Sequence, residues 1–423
     1  MKVKLFYGWY IVAVCFLLMV YYGAIFIYGF TAFVNPIVAT FGWSMAQLSL
    51  ASSLRSLETG AFNPVWGTVA DRYSPRKLML FSIIVTALGV VCLSQTKNLL
   101  MYYVGFLIMG LGSSLLTAIL PNTLIARWFR KDIGKATGVF YTSGGIAGML
   151  VPAVTIILDR LGWQTTLLYI AIGFLVLGIP LSFVIRSRPE DYGLSPDGKT
   201  QLAGSLKSAR PYDFGTGIKE ALKTRAFWHI NLAILFQSST MSILIFYMMP
   251  YLSSLGSDRA TASMVVMLYT LVSIAGRLAL GTLSDTLKKS YLVAFTVVMM
   301  GTGLFIFWLV GADSPFWLML LFAITYGLGL GGALVTRPPI LAEYFGVKKF
   351  GTIFGLSSIF TTIGGVVAAP AAGWVIDTYH TYKPVWLALI GFAVIALISM
   401  LTIPLPAPGK VAKSKQISAD FEK

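Results

Sequence analysis

Twelve long apolar runs, separated by short polar connections, fill most of the chain. The first six cover 7–33, 44–70, 77–95, 99–125, 134–159 and 163–185; the last six cover 227–253, 260–284, 290–311, 315–341, 350–377 and 384–404. A helix needs about 20 residues to cross a bilayer, so each run predicts a transmembrane α-helix, and the longer ones leave room for tilt. A polar stretch at 186–225 divides the two sets, and a polar tail follows at 405–423. All other connections are short, which makes sequence neighbours antiparallel. The expected organisation is an N-terminal bundle at 1–185, a linker at 186–225, a C-terminal bundle at 226–404 and a tail.

Composition supports lipid as the solvent. The chain is 57% apolar and only 11% charged, whereas a soluble domain carries roughly twice that charged fraction. Its net charge of +16 does not point to nucleic acid, because the basic residues lie in short loops between apolar runs instead of clustering on a soluble fold. With the N-terminus inside, 25 Lys and Arg face the cytoplasm, four (Lys97, Arg160, Arg259 and Lys383) face outward and three lie within spans. Basic residues mark the cytoplasmic side, so both termini are expected in the cytoplasm of a plasma membrane, the inner membrane of a bacterium. The Met1-Lys2-Val3-Lys4 start mimics a signal peptide, but the run after it is long and aromatic and lacks a small-residue cleavage site, so it reads as span 1. Cys15 and Cys92 lie inside apolar runs with no ligating neighbours and read as small hydrophobes. No metal or cofactor is expected.

The halves repeat each other. Span 2 ends in Gly67-Thr-Val-Ala-Asp71-Arg72 with Arg76-Lys77 following; span 8 ends in Gly281-Thr-Leu-Ser-Asp285 with Lys288-Lys289 following. Gly110-Leu-Gly112, Ala126-Arg-Trp-Phe129, Gly134, Gly138, Pro152 and Asp159 are answered by Gly327-Leu-Gly329, Ala342-Glu-Tyr-Phe345, Gly351, Gly355, Pro370 and Asp377. Apart from the basic pairs that follow the two loops, the offsets fall between 214 and 218. Six spans per half put both repeats in the membrane in the same sense, as in transporters built from parallel six-helix repeats.

This loop with its weaker copy, the layout of six plus six spans and the long central linker resemble the major facilitator superfamily over essentially the whole chain. The resemblance implies an all-α membrane protein of twelve transmembrane helices in two six-helix bundles, working as a secondary transporter by alternating access. Gly67, Asp71, Arg72 and Arg76, with Asp285, Arg337 and Glu343, are the expected gate residues. Phe6-Tyr7-Gly8-Trp9 at the start of span 1, Arg277 in span 8, and Arg188-Pro189-Glu190-Asp191-Tyr192-Gly193 after span 6 resemble the bacterial monocarboxylate porter and oxalate/formate antiporter branch. That branch implies small organic anions such as lactate or pyruvate, with a proton or counter-anion as partner. Three features depart from the pattern. Span 1 lacks the lysine of the animal monocarboxylate porters, and Ser273 stands where they carry an aspartate. Thr361 and Thr362 stand in the middle of span 11, where an oxalate exchanger would supply a second cation.

A charge at membrane depth costs about 3 kcal/mol on insertion scales, so Arg55, Glu58, Arg277 and Arg337 each need a reason. Arg277 has no acid within a turn on its own helix, and its planar guanidinium can hold a carboxylate by two hydrogen bonds; the alternatives are an interhelical salt bridge or a snorkel. Arg55 and Glu58, three apart, can form a structural pair, or Glu58 can titrate and couple transport to protons. An anion entering against an inside-negative potential costs about 2.3 kcal/mol per 100 mV, so uptake needs a proton or an exchanged anion. Pro338-Pro339 is expected to break span 10 beside Arg337. Tyr326, Tyr28, Asn122, Tyr141 and Tyr247 are candidate substrate contacts, with Tyr22 and Gln237 also near mid-span. The glycines at 327–332 and 144–145 lie within spans and predict close helix packing, not a nucleotide loop.

Other classes fit less well. An enzyme would need clustered catalytic groups, and His229 and His380 sit alone at span ends. A channel would need rings of like groups or a filter loop. A facilitator for a neutral or cationic solute, with Arg277 structural, is the alternative within transporters. A monomer is expected.

Overall fold

The computed structural model describes residues 6–43, 45–198, 215–257 and 259–404. The Met1-to-Lys4 start, the middle of the linker and the 405–423 tail lie outside the described residues, as do the side chains of Tyr28 and Arg259.

Every predicted span is a helix. They are α1 (7–41), α2 (Met45–Arg72), α3 (Pro75–Ser94), α4 (Leu99–Trp128), α5 (133–161), α6 (Trp163–Val184), α7 (Arg225–Ser254), α8 (Arg259–Leu283), α9 (Lys289–Leu309), α10 (Phe316–Phe345), α11 (Phe350–Tyr379) and α12 (Lys383–Leu401). Among the described residues ten helices are long and apolar enough to span a bilayer, and α5, bent by 45° into Ile133–Met149 and Ala153–Leu161, makes eleven. The remaining one, α2, falls short through its own polar residues: Gln47, several serines, Arg55, Glu58 and Asn63 interrupt its apolar stretch.

Two helices depart from the sequence reading. The first span runs to Phe41 instead of 33, changing from α-helix at Tyr7–Tyr22 to a π-turn at Gly23–Tyr28 and back to α-helix at Phe30–Phe41. It stops at Gly42, whose φ of 68° lies in the left-handed region that favours glycine and lets its N–H reach the Val38 carbonyl at 2.8 Å. Span 10 is not broken at Pro338-Pro339: α10 continues through both to Phe345. Two prolines remove two intrahelical hydrogen bonds, but both rings are buried, and surrounding helices hold such a segment in line.

By contacts the chain forms two compact units. One comprises 1–130, 139–205 and 349–356; the other comprises 131–138, 206–348 and 357–423. In the first unit α4 packs on α2 and α3, with Trp128, Phe129 and Phe174 fully buried. The two sequence pieces that pointed to a transporter branch meet here. The Arg186 guanidinium lies over the Tyr7 ring at 4.0 Å and over the Tyr192 ring at 4.3 Å, and Trp9 packs edge-on against Phe129. Asp197 of the linker accepts the Arg130 N–H at 3.1 Å.

In the second unit α10 packs between α8 and α9 through the glycine run. A Cβ at Gly327 or Gly331 would run into the backbone of α8, one at Gly329 into Met300 and Thr296 of α9, and one at Gly332 into Leu280 of α8 and Thr296 of α9. The alternation lets one helix approach two neighbours at backbone distance. Phe307, Phe322 and Trp386 fill the remaining core, with Phe307 stacked 4.5 Å from Phe322.

Candidate functional site

In the second unit Arg277 lies on α8 and is 7% exposed. Four-residue spacing puts it on one helix face with Tyr269, Ser273 and Gly281. Gly331 of α10 abuts the same turn, so closely that a Cβ there would meet the Ser273 carbonyl and the Arg277 N–H. Ser273 donates to the Thr270 carbonyl at 2.7 Å. The guanidinium is thus carried on a backbone clamped between close-packed helices. Tyr326, 1% exposed, is sealed between Phe322 and Tyr269, with ring centroids 5.6 and 5.9 Å away. Tyr247 donates to the Ala369 carbonyl of α11 at 3.0 Å. Gln237 donates to Thr296 at 3.0 Å. Arg337 reaches across from α10 to the Thr361 hydroxyl at 2.8 Å.

In the first unit Asn122 and Tyr141, separate candidates in the sequence, come together: the Asn122 amide donates to the Tyr141 hydroxyl at 3.1 Å and to the Ala118 carbonyl at 2.8 Å. Arg55 donates to the Tyr22 hydroxyl at 2.6 Å, and Tyr22 donates to Ser113 at 3.1 Å. Glu58 lies against Gly110 of α4, where an added Cβ would strike its carboxylate. Neither Glu58 oxygen is exposed or accepts a hydrogen bond among the described residues. Arg277 has a counterpart here in Asn63, at the same repeat offset as Gly67 and Gly281.

The duplicated loops build matching structures. In the first unit Asp71 caps the first turn of α11, accepting from the Gly351 N–H at 3.0 Å, the Thr352 N–H at 2.8 Å and the Thr352 hydroxyl at 2.8 Å. Gly67 lies against the Gly351 carbonyl, where no side chain fits. In the second unit Asp285 caps the first turn of α5 through the Gly134 N–H at 2.6 Å and the Lys135 N–H at 2.9 Å, and Gly281 packs on Gly134 and Gly138. Each carboxylate meets orphan N–H donors and the positive end of a helix. Burial pushes the Asp285 carboxyl up to about 6, against the pull of those two N–H groups and of Lys289.

Arg72 is exposed and Arg76 stacks on Phe183 at 4.3 Å. The cation at Asp71 is instead Arg127, 3.5 Å away, which also donates to the Ala70 carbonyl at 2.8 Å. At the matching position of the other half Glu343 pairs with Lys289 at 3.4 Å. Sequence reasoning passed over Arg127; the available signal was the opposite charge at equivalent places, Ala126-Arg127 against Ala342-Glu343. Among the described residues no group of His, Cys, Asp or Glu could hold a metal ion.

A polytopic helical protein with two repeated six-helix halves and paired helix-capping loops defines a membrane transporter. The family profile described as Major Facilitator Superfamily matches residues 14–336 and 246–422, and the chain belongs to that family. It is 25% identical over 414 residues to monocarboxylate transporter 12 of Rattus norvegicus, covering 92% of this chain and 83% of that one. It is also 25% identical over 355 residues to the oxalate:formate antiporter of Oxalobacter formigenes, covering 82% of each. Among solved structures it superimposes on the proton:xylose symporter XylE with a TM-score of 0.72, at 14% identity and with 94% and 96% of the two chains covered. The XylE likeness establishes the fold alone. The protein is therefore a multi-pass membrane transporter.

Proposed function

We propose that this transporter carries small organic anions, monocarboxylates such as lactate or pyruvate, by alternating access, and that Arg277 holds the substrate carboxylate. The observation that carries the reading is a guanidinium buried on a membrane helix and clamped at its backbone by Gly331. A charge kept at that depth marks a substrate or ion pathway, and Arg suits a carboxylate better than Lys because its fork supplies two parallel donors. Relatives named for monocarboxylates and for oxalate and formate support the same class. Tyr247 of the same unit serves as a further polar contact. The Asp71 and Asp285 caps act as gate contacts that are made and broken in the cycle, and both termini lie on the cytoplasmic side of a bacterial inner membrane. Residues 1–185 and 226–404 are the two bundles of a monomer.

Purified protein in vesicles, given labelled lactate in competition with unlabelled carboxylates, neutral sugars and cationic amines, tests the substrate class. Saturable uptake displaced by carboxylates alone is expected. Displacement by a neutral or cationic solute, with carboxylates inert, would make Arg277 structural.

A further inference from the structure

We propose that Glu58 is a proton-binding site of the transport cycle and that Arg55 and Tyr22 form the switch that responds to its proton. The proposal rests on the anion-transport reading and names the coupling partner.

Arg55 and Glu58 lie three residues apart on α2, close enough to pair on one helix face. In this structure the Arg55 guanidinium is instead turned to Tyr22 of α1 at 2.6 Å, and Tyr22 passes the contact to Ser113 of α4 at 3.1 Å. The Glu58 carboxyl lies in the groove left by Gly110, its oxygens buried and without a hydrogen bond among the described residues. That geometry fits the neutral acid, since an ionised carboxylate taken out of water is stabilised only by hydrogen bonds or a paired cation. Loss of the proton gives the carboxylate one cation within reach on its own helix. Arg55 can then swing to Glu58 and release Tyr22. The chemistry is a single reversible proton transfer, carboxylic acid to carboxylate plus proton.

A second observation places the switch beside irregular turns of two helices. Tyr22 is the last α-helical residue before the π-turn Gly23–Tyr28, and Ser113 lies two residues before the π-turn Leu115–Ile119. Such turns hold an extra residue and mark places where a helix shifts register, often at functional sites. Releasing Tyr22 therefore frees a tie between α1 and α4 where both can rearrange.

The groups around Glu58 are few. Arg55 comes from its own helix and Tyr22 from α1. From α4 comes Gly110, with no ionisable side chain on that helix between Tyr103 and Arg127. In the 349–356 segment, Lys349 lies toward the Asp71 end of α2, 13 residues along the helix, about 20 Å from Glu58.

The test compares wild type with Glu58→Gln in lactate-loaded vesicles. Two measurements apply: labelled-lactate exchange at equal pH, and uptake driven by an inward proton gradient. Exchange should persist, while gradient-driven uptake should fall roughly tenfold or more. Infrared difference spectra between acidic and alkaline buffer should contain a protonated-carboxyl band that Glu58→Gln lacks. An equal gradient response in the two proteins overturns the proposal whatever the spectra show. If neither protein moves a carboxylate, the anion-transport reading fails and the spectra alone decide: identical spectra overturn the Glu58 assignment, and a missing band upholds the proton site. If Glu58→Gln also loses exchange, Tyr22→Phe decides. Retained exchange with a weakened gradient response supports the switch, and an unaltered response overturns it.

Discussion

Charged residues at and near the membrane do different work according to what they touch. Arg127 is 8% exposed and supports Asp71, whereas Arg72 and Arg76 of the same loop face outward. Removing one partner of a buried pair strands the other, at about 3–5 kcal/mol, while an exposed cation contributes about 0–1 kcal/mol. Arg127→Gln is therefore expected to lower the melting temperature in detergent markedly and Arg72→Gln hardly at all; equal shifts would contradict the assignment. Asp285 gives a pH signature. Its carboxyl is raised to about 6 by burial, so its folded form favours the proton; that stabilisation is complete below the ordinary carboxylate range and is lost as pH rises through about 6. Melting of the wild type should fall relative to Asp285→Asn as pH rises from about 5 to about 7.5. A pH-independent difference would show that Asp285 does not titrate there. At this scale the sequence identified Arg277, Asn122 and Tyr141 as polar groups at membrane depth. It did not reveal that the last two touch, nor that Arg127 serves Asp71, because both facts depend on which helices cross.

Helices in this protein cross where glycine permits it. Gly67 and Gly281, matched in the sequence repeat, each lie against the backbone of the helix turn that the neighbouring aspartate caps. Their Ala variants force an overpacking that costs about 1–3 kcal/mol, so both should melt earlier. By contrast Gly391 and Gly365 face open space, and Ala there should be neutral or stabilising by up to about 1 kcal/mol. Thermal melting of the four variants checks the distinction; a loss at Gly391 equal to that at Gly67 would refute it. Helix positions were legible because runs of apolar residues long enough to span lipid leave little freedom. Two details were not. The π-turns in α1 and α4 leave no hydropathy mark, and Pro338-Pro339 reads locally as a helix end, although the packing around α10 carries the helix past it.

For the whole molecule, the repeat at offsets of 214 to 218 was the informative feature. It set the number of helices, the equivalence of the Asp71 and Asp285 caps, and the family. It did not set the substrate, which under the proposed function depends on where the halves differ: Asn63 in one and Arg277 in the other. The proposed function places the substrate carboxylate on Arg277, on one side of that asymmetry. Its most direct test is uptake of labelled lactate into vesicles by wild type and Arg277→Lys at matched protein density, with melting temperatures compared. Lysine keeps the charge but loses the fork. The expected result is unchanged melting and uptake reduced roughly tenfold or more, the effect of one charge-assisted hydrogen bond of about 1.5–3 kcal/mol. Equal uptake by the two proteins would contradict the account.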